Sequence, residues 1–362
     1  KDGIAAVLLV VQFVFMIPDI IYVLENTGFD PSWRYFLNVV NGTDLKFGRD
    51  IYFTYGPLGY LFYLMKLPGN TIEYWSGIVI WGIIFLFHLW MLLQLYRLYQ
   101  KGKIHFWAIT ASVCCYLAGY YAPTRDNYLL YLMILAVVLW AKGAKNIVLI
   151  PNLLLLLMFF GKFSTFTSGF AFCILFCIFD VLFRKNWKSI WLFLPGIILM
   201  PVCYLVYCPS IKNLFEYVAG ILKISSGWML TMQFDSVLQP SEVRWLIILI
   251  ACYVLLIIGN LWSNYKSSAA IIASCASMFF LYKYATTRHG LKVGIWLFAM
   301  LFSATILSID WNVLFQKIGQ RAKAVRKNQI IYYVCGTAMI MAVGCTGILE
   351  AHSLRSSMGY VK

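Results

Sequence analysis

Charge is scarce in this chain, and acid is scarcer than base. Only 12% of the 362 residues are charged, with 14 Asp and Glu against 29 Lys and Arg, and there are four histidines. Soluble domains carry about a quarter charged residues, so a water-exposed globular surface is excluded. Metal-ligand spacing is missing as well: no CxxC pair occurs among the ten cysteines. Cys114, Cys115, Cys173, Cys177, Cys252, Cys275, Cys335 and Cys345 sit inside apolar runs, with Cys203 and Cys208 toward the end of one. They read as small buried hydrophobes rather than a disulfide framework or a zinc site. Visible internal repeats are lacking too.

What remains is apolar: 62% hydrophobic residues and a mean hydropathy of +0.79. Runs of membrane length recur at 4–24, 77–99, 104–121, 128–141, 147–160, 166–183, 190–207, 243–262, 269–282, 293–307 and 330–349, about 11 in all. A backbone in lipid must satisfy its own hydrogen bonds, so the expected fold is an all-α polytopic membrane protein, one transmembrane domain over residues 1–362. The first run has no small-residue cleavage site and reads as an anchor, not a removable signal. The opening Lys1-Asp2-Gly3 suggests a trimmed chain, and a further domain beyond Lys362 stays open.

The formal charge of +15 does not point to nucleic acid, because the basic residues fall in short loops between apolar runs. Arg97, Lys101 and Lys103 follow the second run, Lys142 and Lys145 the fourth, and Arg184, Lys185 and Lys188 the sixth. Lys317, Arg321, Lys323, Arg326 and Lys327 follow the tenth. These alternate loops are expected in the cytoplasm, with the N-terminus. The carboxylates segregate to the opposite side: Glu25, Asp30, Asp44, Asp50, Glu73, Asp126, Glu216, Asp235 and Glu242, with Asp19 near an outer end and Asp180 and Asp310 at inner ends. Ion-coupled carriers place ionisable groups near the midplane, whereas these groups gather at one surface.

Two outer loops stand out, 25–76 and 208–242. In the first, Asp30-Pro31 is a helix start, with Asp as N-cap and Pro in the first helical position. Trp33, Phe36, Leu37 and Val40 then share one apolar face, while Arg34, Asn38 and Asn41 fall away from it and Asn41-Gly42 ends the helix. Such a helix lies flat in the bilayer interface. Asp30 is either a cap or a general base at headgroup depth. Arg49 beside Asp50 is either a surface ion pair or part of a set of acids that activates an acceptor hydroxyl. A second helix is expected from Pro57, and Tyr52, Tyr55, Tyr60 and Tyr63 form an aromatic belt. In the second loop, Ile211, Leu214, Phe215 and Val218 define an amphipathic helix broken at Ser225-Ser226-Gly227, serving as a mobile lid or an anchored connector. His88 and His105 read as packing and boundary residues.

Asp30-Pro31-Ser32-Trp33-Arg34-Tyr35, then Arg49-Asp50 and Gly56-Pro57-Leu58, resemble the layout of the GT-C superfamily of integral-membrane glycosyltransferases. That superfamily includes the protein O-mannosyltransferases and the aminoarabinose transferases of lipid A. Its members open the first of two juxtamembrane helices with an acidic residue and carry a second Asp ahead of a Pro-Leu-containing helix. This chain departs from the pattern with Pro31 where many relatives have Glu, and with its Arg one position later. The match extends to about residue 65, and beyond it only span number and topology agree.

The resemblance implies an inverting enzyme of the cell envelope, in a bacterial inner membrane, that takes a sugar from a polyprenyl-phosphate donor. The acceptor would be a glycan, lipid or protein on the extracytoplasmic face. Asp30 would be the base and Asp50 would position the acceptor. The candidate phosphate-binding groups are Arg34, Arg49, Arg125, Lys162, Lys283, Arg288 and His289. Lys162, isolated between two apolar runs, either snorkels to the interface or meets an anion. No metal site is indicated by spacing, though a divalent ion between Asp30 and Asp50 stays open if they converge. The rival class is a lipid or polysaccharide flippase or a transporter; a third is an inactive scaffold.

Overall fold

A computed structural model describes residues 2–22, 29–118, 124–208, 210–231, 240–288 and 291–322. They form helices α1 (Asp2–Met16), α2 (Phe29–Val39), α3 (Thr71–Gln100), α4 (Phe106–Ala118), α5 (Arg125–Ala141), α6 (Leu149–Gly161) and α7 (Phe163–Arg184). There follow α8 (Leu194–Tyr207), α9 (Ile211–Thr231), α10 (Pro240–Asn264), α11 (Ala269–Arg288), α12 (Leu291–Thr305) and α13 (Trp311–Ala322). No strand occurs among the described residues; Ile21 with Leu64, Phe47 with Ile51 and Tyr55 with Lys162 form isolated bridges.

The bundle is organised around α5. Every residue from Asp126 to Leu139 is buried, as expected of a helix apolar on all sides at the centre of a bundle. It packs against α3, α6, α7, α11 and α12. Four helical stretches are long and apolar enough to cross a membrane: Thr71–Gln100, Phe163–Arg184, Trp187–Tyr207 and Leu246–Ser267. They fit a membrane protein, and their outer faces display Val79, Ile83, Leu86, Ile198, Val202, Val206, Ile250, Leu255 and Ile258. Apolar surface on that scale needs a non-aqueous neighbour.

Some expectations are corrected and others are left untested. Within the stretch 4–24 the helix ends at Met16, with Pro18 two residues on, and residues 17–22 are not helical. Asp2–Met16, Phe106–Tyr116, Leu149–Gly161, Ala269–Lys283 and Leu297–Ser308 are shorter apolar helices, and 330–349 lies outside the described residues. Pro57 starts no α-helix; a single 3-10 turn, Gly59–Phe62, follows it. The second outer-loop helix is not broken at Ser225-Ser226-Gly227, since α9 runs through to Thr231. Its inward residues also differ from expectation: Leu214, Tyr217 and Ile221 are buried, whereas Ile211 and Phe215 are exposed.

Candidate active site

The site begins with a broken helix. α6 and α7 are separated by one extended residue, Lys162, at φ −142° and ψ 108°. The last carbonyls of α6 would lack partners there. The first outer loop supplies them: Gly56 N–H donates to Gly161 O at 3.1 Å and Leu58 N–H to Phe160 O at 2.8 Å. In return Phe163 N–H, at the head of α7, donates to Thr54 O at 3.0 Å. Gly56 allows this approach, because a Cβ there would stand 2.5 Å from Phe160 O and 2.6 Å from the Tyr217 hydroxyl. The loop and the helix break therefore form one unit.

Of the two readings of Lys162, the structure shows the one in which it meets an anion. Its Nζ lies 2.6 Å from Asp126 Oδ2, in the first turn of α5, and Thr165 Oγ1 donates to the same oxygen at 3.3 Å. Both residues are buried, at 7% and 6% exposure. Burial removes water from each charge, so each holds the other in place. Asp126 also profits from the positive end of α5. Lys162 Nζ sits 5.4 Å from the centre of the Tyr55 ring.

Tyr55 leads into an aromatic cluster. Trp33 of α2 stacks on Tyr55 at 5.0 Å and meets Tyr63 edge-on at 4.9 Å, and the hydroxyls of Tyr55 and Tyr63 lie 3.2 Å apart. The Arg34 guanidinium lies over Tyr63 at 4.7 Å, Tyr22 at 5.0 Å and Trp33 at 5.3 Å, and Nη1 donates to the Tyr22 hydroxyl at 2.6 Å. Arg125 approaches Tyr63 at 5.8 Å, donates Nη2 to Ile21 O at 3.3 Å, and keeps a buried Nε with no hydrogen-bond partner among the described residues. Two guanidiniums thus share one ring, each contact contributing about 0.5–1 kcal/mol at partly exposed sites.

α2 is held over this cluster by its supposedly outward side. Leu37 and Val40 are buried as expected, but so is Asn38, at 1% exposure. Its Nδ2 donates to Tyr63 O at 2.7 Å and its Oδ1 accepts from Met65 N at 3.0 Å. Asn41 Nδ2 donates to Pro57 O at 2.9 Å. The amides fasten α2 to the loop, so the helix is not an independent raft. Asp30 lies in the first turn of α2, one turn before Arg34.

Asp50 and Arg49 occupy a separate turn. Asp50 accepts Arg49 Nε at 2.9 and 3.0 Å and Lys46 N at 2.9 Å, while Arg49 also donates to Asp44 O at 3.2 Å. The Arg49 hydrogen bond first, then the Lys46 N–H, hold the Asp50 carboxyl below its ordinary range. This is the surface-pair alternative for Arg49 and Asp50. Lys283 is exposed on α11, Arg288 ends that helix, and His289 lies outside the described residues. No group of three or more His, Cys, Asp or Glu side chains suited to a metal occurs among the described residues. His88 is a core residue bonded to Tyr128 at 2.8 Å.

The structure therefore gathers Arg34, Arg125 and Lys162 around Tyr55 and Tyr63. Asp126 was absent from the sequence-based candidates, as were Trp33 and Tyr55. The available signal was an Arg125-Asp126 pair and a single Lys162, each at the end of an apolar run. No family model, curated protein or solved structure matches this chain.

Proposed function

We propose that the chain is a GT-C-type membrane glycosyltransferase that moves a sugar from a polyprenyl-phosphate donor to an acceptor hydroxyl on the extracytoplasmic face. The observation that carries this reading is the convergence of Arg34 and Arg125 on the Tyr63 ring, one helical turn from Asp30 and beside the Lys162–Asp126 pair. Asp19 and Asp126 offset part of the repulsion between the two guanidiniums at Arg125, and an anion bridging the pair would offset more. A phosphate takes bidentate bonds from such forks. The aromatic walls suit a sugar ring and the first isoprene units, and the membrane-fit helices suit a lipid carrier.

In the reaction Asp30 accepts the proton of the acceptor hydroxyl, whose oxygen attacks the anomeric carbon. The bond from that carbon to the phosphate oxygen breaks, and its electron pair leaves with the phosphate. Arg34 and Arg125 stabilise the charge that develops there. Asp126 fixes the Lys162 ammonium at 2.6 Å, which makes it a positioning residue. The Arg49–Asp50 turn contributes to the loop's shape rather than to proton transfer.

The test is transfer from a polyprenyl-phosphate sugar by purified protein. Asp30→Asn should lower kcat about 10²–10⁴-fold with fold and donor binding retained, the range for loss of a general base. Arg34→Gln should weaken retention of polyprenyl phosphate itself. Full activity in Asp30→Asn would remove Asp30 as the base, and no transfer by the wild-type protein would leave the flippase or transporter reading in its place.

A further inference from the structure

α5 and α7 carry the aromatic site at their N-terminal ends, and a cavity opens where they finish. It has a volume of about 280 Å³ and is lined by Lys103, Lys142, Arg184, Lys266, Asn264 and Asp310, with serines and backbone completing the wall. α5 has 17 residues, so at 1.5 Å per residue the two sites stand about 25 Å apart. That separation is close to the thickness of a bilayer core, about 30 Å.

The wall is basic, and its cations differ in how far they are committed. Arg184 is occupied on both arms, Nη1 on Asp180 at 3.1 Å and Nη2 on Ala141 O at 3.1 Å. The lysines are not. Lys103 Nζ gives one hydrogen bond, to Lys142 O at 3.3 Å, and Lys142 Nζ gives one, to Ile309 O at 3.2 Å. An ammonium has three N–H donors, so each keeps two. Lys266 is exposed on the 3-10 turn Tyr265–Ser267. The lining carboxylate, Asp310, is held by Asn264 Nδ2 at 3.1 Å. Among the described residues no lysine of this wall forms an ion pair with it.

Asp310 and Asp180 offset only part of the repulsion among Lys103, Lys142, Arg184 and Lys266. Burial pushes the Lys142 ammonium down to about 8, Asp310 offsets part of that, and Arg184 adds to it. Of the neutral groups on the wall, Ser267 and Ser308 spend their hydroxyl protons on Asn264 O at 2.9 Å and Thr305 O at 2.7 Å, while Asn264 has a second amide N–H beside its bond to Asp310. A tetrahedral oxyanion needs several donors from different directions, and this wall provides them. The volume falls just below the ~300 Å³ at which small-molecule pockets begin, which suits a headgroup-sized group and not a whole sugar nucleotide.

We propose that this cavity binds a phosphate-bearing anion, supplied either by a lipid headgroup of the adjacent leaflet or as a free phosphate. It is independent of the proposed transfer reaction, sharing with it only the two helices.

The experiment uses the purified full chain in neutral detergent, with thermal stability and native mass spectrometry as readouts. One arm adds inorganic phosphate against chloride at equal ionic strength. The other adds phosphatidylglycerol against phosphatidylcholine. Binding in the first arm identifies a free phosphate and binding in the second alone identifies a headgroup. Lys142→Gln and Lys266→Gln should each weaken the effect about fivefold, in line with one basic residue near an anionic surface. Lys266 lies on an exposed turn, so its variant keeps the fold even where Lys142→Gln does not. Equal anion effects in wild type and Lys266→Gln, or no effect beyond chloride and phosphatidylcholine, would overturn the proposal. The lysines would then serve only to neutralise helix C-termini.

Discussion

Lys162 and Asp126 are separated by 36 positions and meet at 2.6 Å inside the bundle. Removing one partner leaves the other charge buried alone, at a cost of about 3–5 kcal/mol, whereas replacing both often costs little. Lys162→Met and Asp126→Asn should therefore each lower the unfolding temperature in detergent sharply, while the double variant recovers most of the loss. Additive losses would mean that the two charges are not coupled. Both residues were visible in the sequence as rare charges at the edges of apolar runs, and only their pairing was hidden. Which charge meets which is decided by packing of α5 on α6 and α7, and no local pattern records that. Lys142 gives a different signature. Its folded value of about 8 lies below its ordinary 10.5, so the unfolded chain binds the extra proton between those values. Stability should then rise with pH from about 8 to 10.5, by on the order of 1 kcal/mol after solvent screening. Lys142→Gln should abolish that rise in pH-resolved thermal melts, with Arg184, Lys103, Lys266 and Asp310 left in place.

At the scale of elements, the first outer loop is kept in register by close backbone approaches. Gly56 sits against Phe160 O, and the residues on either side of it bond to the break between α6 and α7. Gly56→Val should push the loop off that break and destabilise the protein by about 1–3 kcal/mol, as other overpacked sites do. Spectroscopic probes on Trp33 should report the displaced aromatic cluster; an unchanged Trp33 environment would mean that the loop is held by α2 alone. The apolar face of α2 was legible because Trp33, Phe36, Leu37 and Val40 repeat at helical spacing. The role of Asn38 was not, since a buried amide that bonds Tyr63 O and Met65 N looks like a solvated polar residue in a linear pattern. α9 shows the same difficulty. Ile211, Leu214, Phe215 and Val218 form a reasonable stripe, but Leu214, Tyr217 and Ile221 form another, and Phe47 docking against Tyr217 selects the second.

For the whole molecule, the decisive asymmetry is between the two ends of α5 and α7. One end holds aromatics, paired charges and the amphipathic α2; the other holds Lys103, Lys142, Arg184 and Lys266 around a cavity. Lys- and Arg-rich loops stay in the cytoplasm because translocating them is unfavourable. The basic cavity should then face inward and the aromatic site outward, on the side where lipid-linked sugars would be used. Asp44 is exposed near the first end, and Lys188 is exposed just past the second. In a cysteine-free background, Asp44→Cys should react with an impermeant maleimide added to intact cells, and Lys188→Cys only after the membrane is opened. The reverse pattern would put the aromatic site in the cytoplasm. An extracytoplasmic acceptor could not reach it there, and the proposed transfer would fail on topology before any kinetic measurement.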